Sequence, residues 1–279
     1  MEPNSKCKGA LLDLAHGISL YPEKELYINN EELFLNAEFI YFAAGTSNLH
    51  GTSRLSVAKQ NIDLSKKIFT KRVFTNNPKI IVITNPVDII SQSVLLFTNL
   101  PTQNIIGTGT FLDSVRLAYY LSSISKFNAA DFETVIVGEH GDSQVPLYSL
   151  CKANGLPILD LPIFSKKNLE NITALTKNSA FQIRETQDAT TYGVAKCAAV
   201  LLDYFLSTKS HELTLSMFTN EHYRSLLLLK KNIYIGIPVV IINGTVTIND
   251  DVNMLEEELS AYRNSARILS ETVNKFNLD

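Results

Sequence analysis

Cysteine is scarce: Cys7, Cys151 and Cys197 are the only three in 279 residues, and none is spaced from another as metal ligands or a redox pair would be. An odd, sparse set of thiols excludes a disulfide framework and fits a reducing compartment. Long apolar runs are missing as well. No stretch of about eighteen apolar residues occurs, which excludes an ordinary transmembrane helix. The opening MEPNSKCKGALLDLAHG lacks the apolar core of a signal peptide. Neither sign of charge dominates, since 25 basic against 28 acidic residues leave a formal charge of −3. The doublets Lys66-Lys67 and Lys230-Lys231 are too short to suggest a nucleic-acid partner. Internal repeats and low-complexity tracts are absent. These absences lead us to expect a cytoplasmic protein with neither membrane nor nucleic acid as partner, and with no metal site.

What is there is ordinary globular composition, 45% hydrophobic and 19% charged. A chain this long buries a sizeable core without disulfides or a structural metal. In the first half, short apolar runs alternate with helical patterns. The expected strands are residues 25–28, 39–44, 80–84 and 104–106, and the expected helices 5–14, 53–71 and 87–97. Alternation of this kind predicts a parallel sheet covered by helices. The run Lys79-Ile-Ile-Val-Ile-Thr84 is apolar on both faces, as a central parallel strand requires. Beyond Gly109 the pattern becomes mixed. A helix over 110–126 and a strand over 134–137 precede a long helical stretch from 169 to about 207. Two β-rich segments, 232–238 and 239–248, follow with a turn at Asn243-Gly244, and a helix over 251–275 closes the chain. The expected fold class is α/β, an incomplete doubly wound (Rossmann-type) parallel sheet followed by an α+β substrate domain. The expected boundaries are 1–108 for the remainder of a dinucleotide-binding domain and 109–279 for the substrate domain.

Several motifs carry candidate chemistry. Gly138-Glu-His140-Gly-Asp-Ser follows a predicted strand, so its imidazole sits on a tight loop and titrates near neutrality. An ordinary loop histidine satisfied by a backbone carbonyl would give the same local sequence. Gly107-Thr-Gly-Thr-Phe-Leu-Asp113-Ser-Val-Arg116 runs from a strand end into a helix, where Asp113 and Arg116 share one face. The Asp could orient His140 and the Arg could grip a carboxylate, or the two could form a simple surface ion pair. The loop Ala44-Gly45-Thr-Ser-Asn48-Leu-His-Gly51-Thr-Ser-Arg54 has a glycine towards each end, as a hinged lid would, with Arg54 at its far side. Thr84-Asn85-Pro86-Val-Asp88 places Asn85 at the carboxyl edge of the sheet, where ligands bind in such folds, although a capping role is also open. Ala189-Thr190-Thr-Tyr-Gly193 alone would be ordinary helix packing.

Taken in order, GTSNLHGTSR, TNPVD, IGTGTFLDSVR, GEHGDS and DATTYG resemble the L-lactate/malate dehydrogenase family, in particular its lactate-type branch, over nearly the whole chain. The resemblance implies an NAD-dependent oxidoreductase acting on a small L-2-hydroxy or 2-oxo acid, in a homotetramer or dimer. It implies that His140 exchanges the proton, Asp113 holds its ring, Arg116 binds the substrate carboxylate and Arg54 polarises the carbonyl. Asn85 would touch cofactor and substrate, Gly45 the cofactor, and Thr190 the substrate pocket. Asn48 would occupy the position that selects the substrate. Malate-type enzymes place arginine there, whereas a neutral residue would leave a second carboxylate unpaired. Pyruvate is therefore the first expectation and a branched 2-oxo acid of the 2-hydroxyisocaproate type the second. Ala118 and Glu133 would stand where allosteric members bind a sugar bisphosphate, so no activation by fructose 1,6-bisphosphate is expected.

The sequence departs from this family at its start. No G-x-G-x-x-G occurs; Gly107-Thr-Gly109 comes nearest, but Leu112 stands at the third glycine position. That turn ordinarily holds the pyrophosphate. We therefore expect the chain to begin where the first strand–helix–strand unit ends. An incomplete gene model, an inactive remnant or a non-catalytic subunit would each explain it.

Overall fold

The computed structural model describes residues 5–46, 54–187 and 189–278. The first half runs α1 (Ser5–Ile18), α2 (Glu31–Leu35), β1 (Phe39–Phe42), α3 (Arg54–Phe69), β2 (Lys79–Val82), α4 (Val87–Phe97) and β3 (Ile105–Gly107). The three strands are parallel, with Ile40 beside Ile80 and Ile80 beside Ile105. β2 is central: Ile80, Ile81 and Val82 are all buried, so both of its faces are covered. β1 buries Ile40 and Phe42 and turns Tyr41 outward, the alternation of a strand covered on one face. α4 is buried at every position from Val87 to Val94. It lies inside the molecule, against α3 and β3.

The second half contains α5 (Phe111–Ser123), β4 (Phe132–Glu133), β5 (Ile136–Val137), β6 (Val145–Pro146), β7 (Lys152–Ala153) and β8 (Leu156–Pro157). It continues through α6 (Lys166–Thr186), α7 (Tyr192–Leu206), β9 (His211–Phe218), α8 (Glu221–Leu226), β10 (Tyr234–Ile242), β11 (Thr245–Ile248) and α9 (Glu256–Lys275). A mixed six-stranded sheet results, in the order β1-β2-β3-β9-β10-β11, with its last three strands antiparallel. β3 meets β9 through the single pair Gly107–Ser216. A Cβ at Gly107 would lie 2.7 Å from both Ser216 Cβ and Ser91 Oγ, so only glycine lets the two strands approach there. A second core forms beneath α5, where Leu117 and Leu121 pack with Phe132, Ile136, Phe164, Leu169 and Ile172.

Four sequence expectations differ from this architecture. Residues 25–28 form no strand; Leu26, Tyr27 and Ile28 are exposed and no described strand lies beside them. The long helix expected over 169–207 is two helices, because Gln187 is extended and the β-branched Thr190-Thr191 pair precedes α7. β9 was not foreseen, yet it joins the parallel strands to the β10–β11 hairpin, so these three strands extend the first sheet, while β4-β7-β8 and β5-β6 form two small sheets of their own. The segments 232–238 and 239–248 share one strand, β10, which runs through Pro238 before turning at Asn243-Gly244. Both turn residues have positive φ, at 49° and 72°, which asparagine and glycine tolerate best.

Candidate active site

The site starts from the end of β5. Gly138 and Gly236 exchange backbone hydrogen bonds of 3.1 and 2.9 Å, which ties the loop after β5 to β10. A side chain at Gly236 would meet Gly138 O at 2.7 Å, so the exchange depends on the missing Cβ. Glu139 N donates to Ser265 Oγ of α9, and His140 N donates to Asp88 Oδ2 of α4 at 2.9 Å. Three backbone anchors in succession thus fix where the imidazole starts.

Asp113 and Arg116 come from the first turns of α5, where the helix N-terminus favours a carboxylate. Asp113 Oδ2 lies 2.6 Å from His140 Nδ1, and Asp113 Oδ1 accepts a 2.9 Å bond from Arg116 Nη1. The Asp113 side chain is only 3% exposed, against 13% for Arg116 and 23% for His140. Because Asp113 takes Nδ1, Nε2 is the ring nitrogen left for an external partner. Burial alone would push the imidazole pKa down. The charge and hydrogen bond of Asp113, with help from the charge of Asp88, outweigh burial and hold His140 above the ordinary histidine value. For Asp113, burial is likewise outweighed by the attraction of His140 and Arg116, and its carboxyl sits below the usual range.

Asn85 and Gly45 occupy the carboxyl ends of β2 and β1. Asn85 is exposed, and its Oδ1 accepts from Val87 N, the first N–H of α4, at 3.3 Å. A Cβ on Gly45 would meet Thr84 Cγ2 at 2.8 Å, which explains a glycine at that crossing. Asn61 of α3, buried in the interior, stitches these ends together. Its Oδ1 accepts from Thr46 N at 2.8 Å, and its Nδ2 donates to Asn85 O at 2.7 Å.

The structure therefore brings His140, Asp113 and Arg116 into direct contact, and Gly45 and Asn85 into one stitched edge. Asp88 links the two groups, one helical turn beyond Asn85 and bonded to the His140 backbone. Thr190 lies in the connection between α6 and α7, and Gly193 just after it packs against Leu112 at the start of α5. Arg54 opens α3, but its side chain lies outside the described residues, as does Asn48 altogether. Sequence reasoning gave no role to Asn61 or Asp88. A polar residue buried mid-helix was the only signal for Asn61, and Asp88 was visible only as the end of TNPVD.

Two family models match the chain. Residues 2–107 match the lactate/malate dehydrogenase NAD binding domain, and residues 110–277 match the lactate/malate dehydrogenase alpha/beta C-terminal domain. The chain belongs to the lactate/malate dehydrogenase family. Among relatives of this family, the L-lactate dehydrogenase 1 of Listeria innocua is 30% identical over 268 residues, 95% of this chain and 84% of that one. A lactate dehydrogenase from a Medee basin deep-sea metagenome library has a TM-score of 0.86 at 26% identity, covering 96% of this chain and 86% of its own. The malate dehydrogenase of Plasmodium falciparum has the same fold, with a TM-score of 0.88 at 24% identity, covering 99% and 89%. The cofactor of this dehydrogenase family member is NAD. Asn85 and Gly45 stand at adjacent strand ends on the carboxyl edge of the parallel strands, joined through Asn61. Among the described residues no group of three metal-ligating side chains occurs, and no helix is long and apolar enough to cross a membrane.

Proposed function

We propose that this dehydrogenase interconverts a small L-2-hydroxy acid and its 2-oxo acid, with L-lactate and pyruvate as the preferred pair. The observation that carries the reading is the buried Asp113 carboxylate held between His140 Nδ1 and Arg116. In the reduction direction, His140 as imidazolium gives the Nε2 proton to the substrate's carbonyl oxygen. Asp113 keeps the ring oriented and favours its charged form. A guanidinium carries five N–H donors, so Arg116 has others with which to fork a carboxylate while Nη1 holds Asp113. NAD, when bound, supplies or accepts the hydride. We assign Arg54 to polarising the carbonyl, Thr190 to the pocket wall, and Asn85 and Gly45 to the nicotinamide side.

Asn48 sets the substrate preference in this reading. Its side chain is neutral, so a dicarboxylate would leave one charge unpaired, while its short length suits a branched 2-oxo acid better than glutamine would. NADH oxidation with pyruvate, 4-methyl-2-oxopentanoate and oxaloacetate in parallel tests this. Pyruvate first and oxaloacetate last is the expected order; a preference for oxaloacetate overturns it.

A further inference from the structure

Asp88 is a buried carboxylate, 3% exposed, that is paired with no lysine or arginine among the described residues. Both of its oxygens are used. Oδ2 accepts the backbone N–H of His140 at 2.9 Å, and Oδ1 accepts the hydroxyl of Ser216 on β9 at 2.5 Å. It sits in the first turn of α4, where the helix N-terminus also favours negative charge. An uncompensated charge in such a place is costly, and a neutral side chain would serve a purely structural contact better. Among the described residues, the cationic group whose charge acts on Asp88 is His140, whose backbone N–H it also accepts.

We infer that Asp88 is a positioning residue for His140, a second carboxylate that fixes the loop through the histidine backbone and holds the ring's proton by its charge. Asp113 then works on the ring from the Nδ1 side and Asp88 from the backbone side. The inference rests on His140 being the proton-exchanging group of the proposed reaction. Among the described residues, the other titratable groups that act on this pair are Asp113 and Arg116 of α5, Glu139 beside His140, and Tyr262 of α9, which feels the Asp88 charge. Burial lifts the Asp88 carboxyl, and the bonds from Ser216 and His140 restrain the rise, leaving it at about 6. Asp88 is therefore ionised over the range in which a histidine of raised pKa loses its proton.

Asp88→Asn isolates the charge, since the amide can accept from His140 N and donate to Ser216 Oγ. The His140 imidazole is titrated by proton NMR in the chain without added cofactor, its signal assigned by loss in a His140→Gln variant. The expected result is a fall of about one unit in the His140 pKa. The high-pH limb of 2-oxo acid reduction should move down by the same amount. Ser216→Ala, which removes only the hydroxyl that stabilises the carboxylate, should move both readouts the same way by less, and it serves if Asp88→Asn does not fold. An unchanged His140 titration in the folded variants overturns the inference, even if turnover falls. A shifted titration in a chain that reduces no 2-oxo acid supports the inference about His140 and instead overturns the proposed reaction.

Discussion

Replacing Asp113 with asparagine removes the charge that His140 and Arg116 share while leaving the size of the side chain nearly unchanged. An opposite charge in direct contact shifts a pKa by about 1–3 units, and the 2.6 Å contact with a buried carboxylate belongs in the middle of that range. With burial then unopposed on that side, His140 should titrate about two units lower. Each unit changes the protonated fraction about tenfold once the pKa is below the working pH. Pyruvate reduction at about pH 7.5 should therefore fall roughly 100-fold, and most of that loss should return near pH 5, where the variant imidazole is again charged. Arg116 is left without its partner with only 13% of its side chain exposed, and breaking such a pair costs about 3–5 kcal/mol. Thermal unfolding should show this penalty near neutral pH. The sign with pH follows from the depressed Asp113 pKa: its contribution is present above the unfolded carboxyl value and disappears as pH falls through the folded one, so the stability gap narrows in acid. A kinetic loss equal at every pH would refute the reasoning, because it would mean that the carboxylate only positions the ring.

Arg116→Lys keeps the charge but loses the planar fork, so the KM for the 2-oxo acid should rise while the pH profile stays near that of the parent; steady-state kinetics checks this. Gly107→Ala puts a Cβ 2.7 Å from Ser216 Cβ and should cost about 1–3 kcal/mol by chemical denaturation, through strain where β3 meets β9. Fructose 1,6-bisphosphate should leave the rate at subsaturating pyruvate unchanged, since Ala118 offers no charge and Glu133 is an acid placed 3.6 Å from Lys152; a steep activation curve would contradict this.

Local chemistry made part of this molecule readable. The fully apolar run at 80–83 marked the central strand, and Pro86 with the apolar sequence after it marked α4, which spans Val87–Phe97 as expected. Asn243-Gly244 marked a hairpin because its turn needs positive φ at both positions. His140, Asp113 and Arg116 were each ambiguous in their own short motifs, and it was the order of the motifs, through the family resemblance, that singled them out. What escaped the sequence depends on distant partners. Residues 25–28 have the apolar and aromatic content of a strand, but pairing decides whether a strand forms, and no described strand pairs with them. β9, at residues 211–218, is mixed in polarity because Thr214 and Ser216 are buried against α5 and α4 through Ser114 and Asp88. Asn61 and Asp88 act through hydrogen bonds to residues 15–128 positions away, which no local spacing encodes.

The central claim is that the His140 site moves a proton while a hydride passes between NAD and the 2-carbon of a small acid. The most direct measurement uses NADH deuterated at nicotinamide C4, with pyruvate, and reads deuterium at C2 of the product lactate by mass spectrometry. The account predicts one deuterium per lactate formed by the parent chain and a rate at least about 1,000-fold lower for His140→Gln. Lactate without deuterium, or an equal rate in the folded variant, would contradict it.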